Sequence, residues 1–493
     1  MNDWLADRAA VSPDATALVE AADGTEWTYA DLDAAVEETA AQLAALGLRP
    51  GDHLGALMET RPAAVRLVHA AMRLGCVLVP LNVRLARPEL RRQVGVADLA
   101  ALVSEAATDA DARAVAGEVP VVSVDGDAAS PVLGAREPAA FEPATWERSD
   151  RQVILFTSGT TGDPKAVALT TGNLLASATA SAVRLGVLPD DRWHCCLSTY
   201  HMGGLAPVLR STLYGTAVVL QEGFDPDATL AALRECDATG VSLVPTMLRR
   251  LLDRGDLPDS LRFVLLGGAP ARNDLIAECA RRDVPVCPTY GMTETASQVA
   301  TARPGEAFDH VGTVGRPLLW TDVTVVDGDG DPLPTGEAGE LVVSGPTVMA
   351  GYYGNPDATA AAFGEHGLRT GDVGYRDEAG RVWVLNRRSD RIVTGGENVD
   401  PGEVVDVLRD HPRVREAAVV GVADEEWGER VAALVVPRGD GGDLSLADLR
   451  EHCEGRLAGY KHPRLLATVG ELPRTASGTV DREAVRERLR RER

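Results

Sequence analysis

The feature that most restricts what this chain can fold into is an alternation of short apolar runs with amphipathic stretches, sustained from the N-terminus to about Val311. "QVILF" (152–156) and "AVALT" (166–170) read as strands around a Gly/Thr-rich loop. "VSLVP" (241–245) leads into the helical pattern "TMLRRLLDRG", "LRFVLLGG" (261–268) into "RNDLIAECARR", and "VPVCPTYG" (284–291) follows. Strand–helix–strand repetition of this kind predicts layered α/β structure with much parallel pairing. One helix is marked at both ends: Thr28 as N-cap, Asp31 three residues on, apolar Leu32, Val36, Leu43 and Leu46, and Gly47 as the stop. A second, from about Pro62 to Leu74, leads into the short strand "CVLVP".

After Val311 the texture changes to short β-branched runs ("DVTVVD", "ELVVS", "RVWVL") joined by Gly, Pro and Asp turns. "DGDGD" (327–331) imitates a calcium loop, but Pro332 and Ala338 stand where such a loop needs Gly and a bidentate Glu, so a hairpin turn is expected. A further boundary falls near 387–390. The expected plan is a large N-terminal domain over 1–388, its β-rich part at about 311–388, and a small α+β domain over 389–493. In that last part, "PGEVVDVLRDH", "SLADLREHCEGRL" and the charged "DREAVRERLRRER" read as helices, the last as a solvated face, while "EAAVVGV" and "RVAALVV" read as strands.

The 493 residues exceed one ordinary core. Asp plus Glu outnumber Lys plus Arg by 73 to 49, a formal net charge of −24 that disfavours nucleic acid and anionic membrane surfaces as partners. Only Lys165 and Lys461 are lysines. An acidic, lysine-poor surface suits a protein kept soluble in a very salty cytoplasm, where self-repulsion is screened over a few ångströms; a merely acidic proteome from a GC-rich genome is the competing explanation. The seven cysteines form no C-x-x-C pair and read as reduced core residues of a cytosolic protein. His194, Cys195, Cys196 and His201 match no usual zinc spacing, and on a strand they would point to opposite faces, so packing is the expectation there. "MNDWLADRAA" lacks the apolar region of a signal peptide. The greasiest stretch, Val65 to Leu85, is interrupted by Arg66, His69, Arg73 and Arg84, so no membrane insertion is expected. Self-association is left open.

The sharpest chemical motif is "FTSGTTGDPKAV" (156–167). After an apolar strand it offers Gly159, Gly162, the hydroxyls of Thr157, Ser158, Thr160 and Thr161, and Lys165, one of only two lysines. Backbone N–H groups, hydroxyls and one cation can cradle a polyphosphate, although the spacing is not that of a Walker A loop.

"TSGTTGDPK", "YGMTET" (290–295), "TGD" (370–372), "NRRSD" (386–390), "GGEN" (395–398) and "PRTASG" (473–478) occur in the order found in the adenylate-forming acyl-CoA synthetase superfamily, which nearly the whole chain resembles. The resemblance implies ATP, CoA and Mg²⁺, two half-reactions through an acyl-adenylate, and a C-terminal domain mobile enough to serve both. It further implies roles. The 157–165 loop holds phosphates. Tyr290 stacks on adenine beside Gly291 and Met292. Thr293 contacts the α-phosphate and Glu294 ligates the metal. Gly268 and Ala269 line the adenine and acyl pockets. Asp372, with Arg387 close by, takes the ribose. Ser389 and Asp390 form the hinge, and Gly395 and Gly396 border the CoA channel. For each glycine, a turn requiring positive φ is the competing explanation.

"YHMGGL" (200–205), "TETASQV" (293–299), "VTGGENVDPGEVV" (393–405) and the modest length resemble the 2-succinylbenzoate–CoA ligase branch, of menaquinone biosynthesis. His201 is implied at the meeting of acyl pocket and CoA tunnel. A substrate with a second carboxylate needs a cation and donors, for which Arg210, Ser297 and Gln298 are the candidates; a surface ion pair is the bland alternative for Arg210. Another aryl or aliphatic acid, or a non-catalytic nucleotide-binding role, remains an alternative.

One position departs from the resemblance. Thr479 stands where family members carry the lysine that bridges carboxylate and α-phosphate. Three explanations stand, in this order: Lys461 or a nearby Arg such as Arg474 supplies the charge, adenylation is slow, or adenylation has been lost.

Overall fold

The computed structural model describes residues 1–158, 164–387, 392–394, 397–399, 401–424, 427–439, 444–454, 456–457, 459–475 and 479–491, without the side chains of 158, 164, 386, 387, 393, 397 and 398. Two compact units are distinguished. The first comprises Met1–Val323, Val342–Leu368 and Ala379–Val382, the second Thr324–Leu341, Arg369–Glu378 and Trp383–Arg493. The fold is mixed α/β throughout.

The first unit is built on two large sheets. One has nine strands in the order Arg316–Pro317, Ser297–Thr301, Val286–Met292, Phe263–Leu266, Gly240–Leu243, Arg192–Cys195, Ala217–Leu220, Thr16–Glu20, Glu26–Thr28. Its interior pairings are parallel and its outermost ones antiparallel. The strand Arg192–Cys195 is followed on one side by Ala217–Leu220 and on the other by Gly240–Leu243, so the strand order reverses there. The crevice outside the carboxyl ends at such a switch point is where open α/β sheets bind ligands. The other sheet runs Gly351–Tyr352, Pro164–Thr170, Arg151–Ser158, Val77–Pro80, His53–Leu57, Leu99–Ser104, Val121–Ser123.

Local chemistry explains the covering helices. Thr28 and Asp31 form a reciprocal capping box that starts Tyr29–Ala45, and Gly47 turns the chain away with φ +98°. Pro62 opens Pro62–Leu74, and Gly75 closes it in the left-handed region. The helix Trp4–Val11 lies outside what the sequence pattern predicted. It is short, and its anchor is distant: Asp3 caps it and pairs with buried Arg73 at 2.7 Å.

Cys195 and Cys196 belong to different hydrophobic clusters on the two faces of the nine-stranded sheet, as strand alternation requires. His194 is buried against Gln221 Oε1 at 3.0 Å. All seven cysteines are buried and unpaired with one another. Among the described residues, no helix is long and apolar enough to cross a membrane.

The β-rich stretch forms a sheet of Asp322–Val326, Gly339–Ser344, Gly367–Arg376 and Phe363–Gly364, with Val382–Arg387 also on Gly367–Arg376. "DGDGD" is a turn: Asp327 Oδ1 accepts from the backbone N–H groups of Asp329, Gly330 and Asp331. In the second unit, Val414–Asp424 and Gly428–Pro437 form a long antiparallel pair, buried on both faces. Helices Pro401–Arg409 and Leu446–Cys453 cover one face. Arg482–Arg491 covers the other through buried Val485 and Leu489, while Glu483, Glu487, Arg488, Arg490 and Arg491 are exposed.

Candidate active site

The Gly/Thr-rich motif lies between two paired strands. Arg151–Ser158 pairs antiparallel with Pro164–Thr170, placing Thr157 opposite Lys165. Val153, Ile154 and Leu155, with Ala166 to Leu169, are buried and fix this strand pair in the seven-stranded sheet. Gly159, Thr160, Thr161, Gly162 and the Ser158 side chain lie outside the described residues. Tyr352 pairs with Val167 on the neighbouring strand, and its ring centroid lies 4.9 Å from Lys165 Nζ. The same tyrosine donates its hydroxyl hydrogen to Glu294 Oε1 at 3.1 Å. Burial first, and Glu294 second, push the phenol above its usual pKa, so it remains a donor.

Glu294 lies on a strained hairpin between Val286–Met292 and Ser297–Thr301. A Cβ at Gly291 would fall 1.7 Å from the Ser297 carbonyl oxygen, so the close crossing excludes any side chain there. Ala296 has φ 50° and Ser297 φ 110°, and such left-handed backbone at non-glycine residues costs of order 1–3 kcal/mol each. Tyr290 and Thr293 are half-buried on this hairpin and Glu294 is buried. Met349 N–H donates to the Glu294 carbonyl at 2.8 Å. Beyond its bond from Tyr352, the Glu294 carboxylate has no partner among the described residues. A buried carboxylate with one oxygen left over fits a hard cation such as Mg²⁺. Gly268, exposed with φ +75°, and half-buried Ala269 follow the adjacent parallel strand Phe263–Leu266. The left-handed φ gives Gly268 a structural reason for its identity as well.

His201 N-caps the helix Met202–Tyr214, beyond the carboxyl end of Arg192–Cys195. A Cβ at Gly204 would approach the Leu197 carbonyl oxygen at 2.3 Å, so glycine lets this helix start against its own entry loop. His201 is exposed, though protein packs near its ring. That crowding, with Arg84 nearby, holds its imidazole below the usual pKa. In the third turn of Met202–Tyr214, Arg210 is 2% exposed and its guanidinium lies 5.8 Å from the Trp193 ring. It donates to Ser177 Oγ at 3.0 Å, and Ser177 donates to the Ala296 carbonyl at 2.6 Å. No carboxylate pairs with Arg210 among the described residues, which rules out the surface ion pair weighed as its bland role. Burial draws its pKa down, but a guanidinium stays charged. Gln298 is buried, its amide donating to Thr301 Oγ1 at 2.8 Å and its Oε1 left without a partner. A half-turn of that amide would exchange its oxygen and nitrogen and present the NH₂ there instead.

In the second unit, Asp372 is buried and its backbone N–H donates to Thr370 Oγ1 at 3.0 Å. The Arg387 side chain, Ser389, Asp390, Gly395 and Gly396 lie outside the described residues. Lys461, on a short 3₁₀ turn, pairs with Glu403, and Arg474 with Glu416. Thr479 is exposed, its hydroxyl 2.7 Å from that of Thr475, and Arg474 and Val480 form an antiparallel bridge.

A family model described as AMP-binding enzyme matches residues 5–353, and one described as AMP-binding enzyme C-terminal domain matches 403–479. The chain belongs to the AMP-binding enzyme family. It is 39% identical to a 2-succinylbenzoate–CoA ligase of Bacillus pumilus (strain SAFR-032), over 98% of this chain and 97% of that one. It is also similar to o-succinylbenzoate CoA synthetase (MenE) of Bacillus subtilis in complex with the acyl-adenylate intermediate OSB-AMP. That match has TM-score 0.92, 36% identity and 98% coverage of both chains. The same Bacillus subtilis enzyme with ATP and magnesium ion matches at TM-score 0.91 and 35% identity, with 99% coverage of both.

Within this AMP-binding enzyme, two residues that motif reading passed over tie the site together: Tyr352 joins Lys165 to Glu294, and Ser177 joins Arg210 to the Ala296–Ser297 kink. The "GYYG" turn gave a faint signal for the first; nothing local marks Ser177.

Proposed function

We propose that this chain is an AMP-forming CoA ligase for 2-succinylbenzoate, and that Arg210 receives the carboxylate that is not activated. The observation that carries the substrate assignment is the Arg210 guanidinium, buried without a carboxylate partner among the described residues and joined through Ser177 to the hairpin that bears Thr293 and Glu294. A buried unpaired cation is costly, and an anionic ligand offsets that cost. Relatives named for 2-succinylbenzoate support the same reading.

In the first half-reaction a substrate carboxylate oxygen bonds to the α-phosphorus of ATP and the bond to pyrophosphate breaks. In the second the CoA thiolate bonds to the acyl carbon and AMP leaves, carrying the bonding electrons on its phosphate oxygen. Lys165 and its loop neutralise and orient phosphates, Thr293 donates to the α-phosphate, and Tyr290 stacks on adenine. Glu294 would hold Mg²⁺, which when bound supplies positive charge against the polyphosphate. Gly268 and Ala269 leave room for nucleotide and acyl group. Ser297 and Gln298 serve the free carboxylate, and His201 positions the acyl group where the thiol enters. By motif, Asp372 and Arg387 take the ribose, Ser389 and Asp390 the hinge, and Gly395 and Gly396 the CoA channel. The test is ATP–pyrophosphate exchange in concentrated salt across a carboxylate panel. Exchange is expected with 2-succinylbenzoate and far less with its analogue lacking the ring carboxylate. Equal exchange with both would remove the Arg210 assignment.

Thr479 favours a second reading, in which adenylation is impaired. Loss of one preorganised donor costs about 10²–10³ in rate. Exchange absent with every carboxylate, alongside normal thioester formation from supplied acyl-adenylate, would favour it. The acidic, lysine-poor composition further supports work in a salt-rich cytoplasm.

A further inference from the structure

We propose that Tyr352 is a positioning residue for adenylation: its hydroxyl orients the Glu294 carboxylate for the metal–nucleotide complex while its ring face seats the Lys165 ammonium. The proposal rests on the roles given above to Glu294 and Lys165. Tyr352 touches both through different parts of one side chain, the hydroxyl at 3.1 Å from Glu294 Oε1 and the ring at 4.9 Å from Lys165 Nζ. Its backbone is fixed independently. It pairs with Val167 on the strand that carries Lys165, and its N–H donates to Thr359 Oγ1 at 2.9 Å. Three residues earlier in the same segment, Met349 holds the Glu294 carbonyl at 2.8 Å. Glu294 is therefore gripped by backbone and side chain from one short segment.

A single hydroxyl donor on Oε1 fixes the carboxylate plane and leaves Oε2 to meet a cation. A partner of this kind around a metal-binding carboxylate sets its orientation, and its loss typically weakens metal affinity by about 10–100-fold. The ring does something separate. An ammonium over an aromatic face is attracted without spending its N–H donors, so the ring seats Lys165 and leaves those donors for phosphate. Packing alone would explain a buried aromatic here, since Tyr352 contributes to the main core. Phenylalanine would satisfy packing equally well, which separates the two explanations.

The experiment compares Tyr352→Phe and Tyr352→Leu in the full chain, reading ATP–pyrophosphate exchange against Mg²⁺ concentration and, separately, thioester formation from supplied acyl-adenylate and CoA. Tyr352→Phe is expected to raise the Mg²⁺ concentration for half-maximal exchange by roughly 10-fold or more, with KM for ATP at saturating Mg²⁺ and the thioester half-reaction within twofold of the parent. Tyr352→Leu is expected to raise KM for ATP as well, because it also removes the ring under Lys165. An unchanged Mg²⁺ dependence in Tyr352→Phe, or equal losses in both half-reactions, would overturn the proposal. Glu294→Gln and Lys165→Ala serve as references. If these abolish exchange and Tyr352→Phe does nothing, only the role of Tyr352 fails; if they also leave exchange intact, the underlying site assignment fails with it.

Discussion

Arg210 donates to Ser177 Oγ at 3.0 Å from a position almost wholly sealed from solvent, with Ser177 passing the connection to the Ala296 carbonyl at 2.6 Å. The guanidinium is thereby aimed by a hydroxyl, and among the described residues no carboxylate neutralises it. Arg210→Ala should raise KM for 2-succinylbenzoate by about 10²-fold, the scale of losing a buried charge-assisted contact. KM for ATP should stay within a few-fold. Steady-state kinetics with each substrate varied in turn checks this, and equal rises in both constants would contradict it.

By the family resemblance Thr479 stands where a lysine would serve adenylation, and the two cations that could replace it, Lys461 and Arg474, pair with Glu403 and Glu416. Thr479→Lys should accelerate single-turnover acyl-adenylate formation, by up to about 10²-fold if the gap limits the step, and leave thioester formation little changed. If Lys461 carries the relocated charge, acyl-adenylate formation is already fast and Lys461→Ala abolishes it. Insensitivity to both substitutions would remove this account of the loop.

Much of this was legible in the sequence because it depends on near neighbours. The Thr28–Asp31 capping box, the strand pair around the Gly/Thr-rich motif and the Asp327 turn are each decided by residues a few positions apart. Gly291 and Gly268 were marked by motif, and the close crossing at Ser297 and the left-handed φ supply their physical reasons. What stayed hidden depends on distant pairing. The helix Trp4–Val11 is anchored by Arg73, 70 positions from Asp3, and Tyr352 reaches Glu294 across 58. Periodicity cannot report contacts between segments that meet only in the folded sheet.

Stability should fall with acid through two buried histidines. Burial pushes His69 down to about 3 and His194 down to about 4. The unfolded chain protonates these rings near pH 6.5, and the native state resists until those lower values. Stability is therefore full above about pH 6.5 and falls as pH drops towards 4 and 3, by about 1.4 kcal/mol per pH unit for each ring. Urea midpoints between pH 7 and pH 5 at constant ionic strength should show this loss. His194→Gln should shallow the slope by about half if it folds, and His69→Gln gives the same reading for the other ring. A flat midpoint in the parent over that range would contradict it.

A net charge of −24 makes self-repulsion the dominant long-range term at low ionic strength. Raising KCl from about 0.1 M to 1 M shortens the screening length from about 10 Å to 3 Å and should raise the thermal midpoint. A midpoint that falls with salt would contradict adaptation to a salt-rich cytoplasm.

The central claim is tested most directly by incubating the protein with 2-succinylbenzoate, ATP, Mg²⁺ and CoA in concentrated KCl and quantifying the products. The account predicts the CoA thioester of 2-succinylbenzoate, AMP and pyrophosphate in equal amounts, and no thioester when ATP is omitted. Turnover of a monocarboxylic acid with 2-succinylbenzoate left unconsumed would contradict it.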